Sequence, residues 1–231
     1  MANNNELENI LSEFDFDKSS ENYEKINKVP SKSVIEGFLY IANRPDFQPS
    51  MVDSNTKEII FAIYNEVIQS EIKFSTLGTY FYALGVQLFR LSCYKKINPK
   101  NLLTSKELFE WSIAIDEKYY QAYNRLGDCY VAINEHKVAI SCFKYSLKNI
   151  GSGGMNDLSI FKGGHGDAFE GDNYLKIGLS LLELDRVNDA KIFILKSKEY
   201  FKNDDELRDG SNIKYSSWKE IMELLVEKNE K

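Results

Sequence analysis

One spacing recurs three times along this 231-residue chain and restricts its fold more than any other feature. In "AYNRLGDCY" (residues 122–130), Tyr123, Leu126, Gly127 and Tyr130 stand three, four and seven apart. Such residues share one face of a helix. After the short turn "AINEHK", Ala139, Phe143 and Ser146 mark a second helix in the same way. Upstream, Phe81, Leu84, Gly85 and Leu88 repeat the first set, and Ser105, Phe109 and Ser112 the second. Downstream come Tyr174, Ile177, Gly178 and Leu181, then Ala190, Ile194 and Ser197. The opening aromatic and the first small residue are 16 apart in the second and third copies and 24 apart in the first. The surplus falls in the loop-like "YKKINPKN", which holds Pro99. With the 18 residues from Ser105 to Tyr123, the period is 34. A glycine inside a helix costs about 1 kcal/mol relative to alanine. Gly127 therefore implies close approach of a neighbouring helix.

On these residues the chain resembles the tetratricopeptide family, whose pattern is aromatic-x2-Leu-Gly-x2-Tyr, then Ala-x3-Phe, at this period. "YNRLGDCY…AISCF" (residues 123–143) matches position for position, with Tyr123 in place of Trp. "YLKIGLSL…AKIFI" (residues 174–194) matches with Ile and Leu substitutions, and "FYALGVQL" (residues 81–88) starts the first copy. The family's terminal proline is missing: "AIDEKYY" (residues 114–120) has Glu117 there. The resemblance covers about residues 78–149 and 172–201, a bit under half the chain. It implies an all-α fold: an α-solenoid of antiparallel helix pairs, a TPR-like superhelix with N- and C-terminal capping helices. A single pair cannot bury its apolar faces alone, so pairs stack. The recurring residues read as packing, large ones filling gaps and small ones letting backbones approach.

The organisation that follows has four parts. Residues 1–30 form an acidic, partly disordered N-terminal segment, with an amphipathic scrap at Leu7, Ile10, Leu11 and Phe14. That scrap is either a solvated tail or a helix docking into the array's own groove. Residues 31–75 form a helical cap, from "SKSVIEGFLYIAN" (31–43) and "TKEIIFAIYNEVIQSEI" (56–72), or else a degenerate extra pair. Residues 76–201 hold three repeats with a Gly-rich insertion at 151–171. Residues 202–231 form a C-terminal capping helix with Ile213, Trp218, Ile221 and Leu225 on one side. A membrane-surface or partner-binding role is the alternative for that helix.

Charge and composition narrow the partners. The net charge is −6, with 29 basic residues interleaved among 35 acidic ones, so no basic stripe awaits nucleic acid. "MANNNELENILSEFDFDKSSENYEK" lacks the basic start and apolar core of a secretory leader. No apolar run approaches the roughly 20 residues a membrane span needs. Cys93, Cys129 and Cys142 are odd in number and show no CxxC spacing, which suits a reducing compartment. The chain is expected to be cytoplasmic, with no nucleic acid and no membrane as partner.

The insertion "GSGGMNDLSIFKGGHGDAFEGDN" (residues 151–173) invites chemical readings. Residues 151–171 hold seven of the 13 glycines. A phosphate loop needs GxxxxGK[ST] after a strand, and "GGHGDAFEGDN" has neither the lysine nor the strand. His165, Asp167, Glu170 and Asp172 could ligate a metal, but their spacing fits no ligand pattern and hard ions need more oxygens. His165 with Asp167 as an acid/base pair lacks a nucleophile, and the other histidine, His136, lies in a turn at the start of a repeat helix. No catalytic residue, no metal and no cofactor are expected. The insertion reads as a flexible or partner-contacting loop.

The resemblance also implies a concave surface lined by the first helix of each pair. Its groove positions are Thr79, Tyr82, Val86, Phe89 and Arg90 in the first copy, and Gln121, Asn124, Asp128, Val131 and Ala132 in the second. The third gives Asp172, Leu175, Leu179, Leu182 and Glu183, mostly apolar, so either covered by the chain or a docking patch. The expected partner-binding groove is Tyr82, Val86, Phe89, Arg90, Gln121, Asn124, Asp128, Leu175 and Leu179. Family members that bind chaperone tails carry a Lys, Asn and Arg clamp. Tyr82, Val86 and Asp172 stand at clamp positions here, so that role is not expected. Three functions follow: a non-enzymatic protein-protein interaction module or adaptor; an immunity or antitoxin protein or secretion chaperone with one cognate protein; and a metal-binding or enzymatic role of the 151–173 loop. The first is preferred. The surplus apolar surface also allows a homodimer.

Overall fold

The computed structural model describes residues 4–14, 74–93, 99–151, 166–201 and 218–229. Among them it is all-helical: eight helices and no strand. They are α1 (Asn4–Ser12), α2 (Phe74–Cys93), α3 (Pro99–Ile115), α4 (Tyr120–Ala132), α5 (His136–Asn149), α6 (Gly166–Glu183), α7 (Val187–Tyr200) and α8 (Trp218–Asn229). The expected helices at 31–43 and 56–72 lie outside the described residues, as do residues 15–30, 152–165 and 202–217.

From α2 to α7 each helix packs on the next, most extensively α2 on α3, α4 on α5 and α6 on α7. The recurring residues explain those three contacts. A Cβ built on Gly85 would stand 2.8 Å from the Phe109 ring, and one on Gly178 2.6 Å from Ile194 Cγ1. One on Gly127 would collide still harder with the Phe143 ring. The glycine of each first helix thus faces the matching large residue of the second. Serines add polar clasps: Ser105 Oγ donates to the Gly85 carbonyl (2.6 Å) and Ser112 Oγ to the Gly78 carbonyl (2.7 Å). Ser197 Oγ donates to the Gly171 carbonyl (2.6 Å). Gly78 and Gly171 each stand seven residues before the patterned glycine; the middle copy has Tyr120 there. In that copy Ser146 Oγ instead accepts from Asn173 Nδ2 of the next helix (3.0 Å).

The turns are as regular as the helices. After α4 and α6, Asn134 (φ 62°) and Asp185 (φ 57°) take the left-handed conformation, each eleven residues beyond its opening tyrosine. Their N–H groups and those that follow return to the last turn: Asn134 to Val131 and Glu135 to Tyr130, Asp185 to Leu182 and Arg186 to Leu181. Short polar side chains tolerate this conformation and so stop both helices at the same register. Where proline is missing, Asp116 Oδ1 accepts from the Lys118 N–H (3.0 Å) and makes the turn.

Two element boundaries differ from expectation. α3 begins at Pro99, not after it, because proline lacks only an N–H that the first helical position does not use. α6 begins at Gly166, so the last six residues assigned to the insertion are helical.

Both ends of the chain contribute helices. On α1, Leu7, Ile10 and Phe14 are buried while Asn5, Glu6, Glu8, Asn9, Ser12 and Glu13 are exposed. α1 lies chiefly against the second helices α5 and α7. On α8, Trp218, Ile221 and Leu225 repeat the three-and-seven spacing of the first helices and are buried. Met222 stands where those helices have glycine. α8 packs on α7, and Lys228 Nζ donates to the Leu182 carbonyl at the end of α6.

Candidate functional site

The nine expected groove residues occupy different environments. Arg90 is exposed, and Val86, Gln121 and Leu179 are half-buried. Tyr82, Phe89, Asn124, Asp128 and Leu175 are buried within the chain. Of the neighbouring positions, Leu182 is buried, Val131, Ala132 and Asp172 are half-buried, and Glu183 is exposed. The Thr79 side chain lies outside the described residues.

The buried polar members are engaged by Asp172, itself a groove position, and by Asn173, Lys176 and Arg125, which the groove pattern did not include. At the α4/α6 junction, Asn124 Nδ2 donates to Asp172 Oδ2 (3.0 Å) and Asn173 Oδ1 (3.1 Å). Lys176, itself buried, donates to Asn124 Oδ1 (3.0 Å) and pairs with Asp128 Oδ1 (2.9 Å) and Asp172 Oδ2 (2.7 Å). An ammonium has three donors, and all three are used. Arg125 Nη1 holds the other oxygen of Asp128 (2.9 Å). Burial is the largest influence on Arg125 and works against its charge, but Asp128, Tyr82 and Asp172 together outweigh it and the guanidinium pKa moves up. Two cations thus face two carboxylates, with the Phe143 ring centroid 5.6 Å from Lys176 Nζ. The sequence held a signal for this cluster: Asp172 and Lys176 are four apart and Arg125 and Asp128 three apart, the helix spacings for ion pairs.

The α2/α4 side is built differently. The Tyr82 ring lies 5.1 Å from that of Tyr119 and 5.9 Å from that of Phe109, centroid to centroid. Burial, with Tyr82 and Tyr120 nearby, raises the Tyr119 pKa well above its ordinary value.

Titratable groups at the α3/α4/α5 junction are poor reagents. Burial pushes the Cys129 and Cys142 thiols well up, which keeps them protonated and weakly nucleophilic. Burial also raises the Glu110 carboxyl, although Lys106 Nζ pairs with it at 2.9 Å. Burial lowers the His136 pKa despite Glu183 and Glu135.

Of the candidate metal ligands in the insertion, Asp172 belongs to the Lys176 cluster, and His165 and the Asp167 side chain lie outside the described residues. Among the described residues no three His, Cys, Asp or Glu side chains assemble as a metal site. Among them, too, no helix is long and apolar enough to cross a membrane.

The geometry defines an all-helical chain whose buried polar cluster joins helices. No protein-family model matches this chain, and no curated protein and no solved structure matches it either.

Proposed function

We propose that this chain is a non-enzymatic module that binds a protein partner on the face made by α2, α4 and α6. The fold behind this reading is a solenoid of antiparallel helix pairs of the tetratricopeptide kind. Two clasps support the pairing: Ser112 lies seven residues beyond Ser105, and its acceptor Gly78 lies seven before Gly85. Opposed progress of that kind belongs to helices running in opposite directions. The twin turns at Asn134 and Asp185 and the three glycine contacts support the repetition.

The observation that carries the binding role is the distribution of exposure over the expected groove. Arg90 on α2, Gln121 on α4 and Leu179 on α6, at three different positions of the expected groove, retain accessible surface on successive first helices. Their buried neighbours fix the spacing of those helices and stay out of contact. Arg beside apolar surface is a common anchor of protein interfaces. The test is co-purification with mass spectrometry using wild type and the double variant Arg90→Glu, Gln121→Arg. The expected result is one specific partner, lost at least tenfold in the variant while its circular dichroism melt is unchanged. Undiminished capture of the same partner by the folded variant overturns the assignment of this face.

A further inference from the structure

We infer that the outer face of α5 and α7 is a receptor for a short acidic amphipathic helix, with α1 as its resident ligand. A helix of the same chemistry from a partner protein takes its place. This surface is separate from the one proposed above, because α1 rests on second helices.

The receptor is built for one end of a helix. Ser141, itself buried, donates from Oγ to the carbonyl of Phe14 (2.9 Å), just past the last residue of α1. Arg186 Nη1 pairs with Glu13 Oε2 (2.6 Å), and its guanidinium carbon lies 5.3 Å from the Phe14 ring centroid. The Glu13 contact raises the Arg186 pKa. A hydroxyl donor and a cation at a helix C-terminus satisfy its free carbonyls and its negative dipole end. The occupant's polarity is thereby fixed. Its chemistry is fixed as well: apolar side chains at positions i, i+3 and i+7, as in Leu7, Ile10 and Phe14, with a carboxylate at i+6. The first repeat lacks these features. On α3, Glu107 stands at the position of Ser141 and is exposed, and Leu103 is 55% exposed.

The occupant is replaceable. A nine-residue helix is marginal in water on its own, so α1 is helical because it is docked. Residue 14 and Ser141 are 127 positions apart, so α1 docks as a distant segment of the same chain, held by its own contacts and not by its sequence neighbours. A longer helix with the same pattern can outcompete it.

The experiment uses the full chain carrying Leu7→Asp and Ile10→Asp, which undocks α1 and leaves the groove intact. A synthetic peptide of residues 1–14 is titrated against it and against wild type, following the amide NMR signals of Ser141 and Asp189. Binding to the variant at least tenfold tighter than to wild type, and weakened again by adding Arg186→Glu, supports the receptor. Equal binding to both chains, or none to the folded variant, overturns it. Should the variant lose its fold, hydrogen exchange on wild type decides instead. Amides of residues 7–12 exchanging faster than those of α5, and faster still when a two-turn-longer helix of the same pattern is added, support it. Exchange of α1 only with global unfolding overturns it.

Discussion

The two junctions that flank α4 occupy related places in the repeat and are made of opposite materials. Towards α2, Tyr82 packs among Tyr119 and Phe109. Towards α6, the contact is Asn124, Asp128 and Asp172 gathered on Lys176. Within the pairs the contacts hardly vary, glycine against Phe or Ile each time. The difference teaches that pairing is a steric problem with one solution, whereas stacking one pair on the next accepts any complementary chemistry. An aromatic junction tolerates loss of one contact in proportion to its size. An ionic junction does not, since removing one partner strands the others.

The sharpest test is therefore Lys176→Met. It leaves Asp128, which is buried, with Arg125 alone and takes the ammonium from Asp172, and breaking a buried ion pair costs up to about 3–5 kcal/mol. Urea denaturation should show a loss of that size. Adding Asp128→Asn, Asp172→Asn and Arg125→Gln should return most of it, because an apolar or neutral replacement of a whole buried ion cluster is often harmless. If Lys176→Met alone were neutral, the junction would hold by packing and the contrast with α2/α4 would disappear.

Gly127→Ala probes the invariant part. Alanine would gain about 1 kcal/mol of helix propensity. Its Cβ, however, collides with the Phe143 ring, which has no exposure through which to retreat. A net loss of about 1–3 kcal/mol is expected from overpacking. Gly127→Ala with Phe143→Leu should recover part of it, and a failure of the pair to couple would show that the close approach is not what demands glycine.

Tyr82→Leu addresses the aromatic junction. It keeps an apolar side chain but removes two ring pairs, each worth about 0.5–1.5 kcal/mol. A loss of about 1–2 kcal/mol, indifferent to salt, is the expected reading in the same denaturation assay. A strong salt dependence would mean that this junction too has an ionic component.

What the sequence made legible divides along the same line. The helix pairs and their contact residues were readable because a 34-residue period and a misplaced glycine each have one physical cause. The same three-and-seven spacing recurs in α8, where Trp218, Ile221 and Leu225 stand as Tyr123, Leu126 and Tyr130 do in α4. The junctions were not readable in this way. Asn124 and Asp128 sit at positions that a single-repeat template assigns to a partner, but Lys176, 52 residues on from Asn124, claims both. Which donor meets which acceptor across a stack depends on the offset between pairs, and no periodicity encodes that. The placement of α1 was hidden for the same reason. Its apolar spacing announced an amphipathic helix, but only Ser141 and Arg186, at the ends of long sequence separations, decide which face receives it.

The smallest expected effect concerns Glu110, on the α3/α4 side, where a carboxylate lies among Lys106, Tyr130 and the two thiols. Burial raises its pKa above 4.5, the ordinary value, and the Lys106 pair only partly opposes this. A carboxyl whose pKa is higher folded than unfolded binds its proton more tightly in the folded chain. Its contribution is therefore fully present below the unfolded value and is lost as pH rises through the folded one. Glu110→Gln removes that loss. Measured against wild type, the variant's relative stability should improve as pH rises from 4.5 through the raised folded pKa and level off above it. A difference between the two chains that does not change with pH would show that burial costs the Glu110 carboxylate nothing, and that a single buried charge on this side of α4 is as well held as the gathered charges around Lys176.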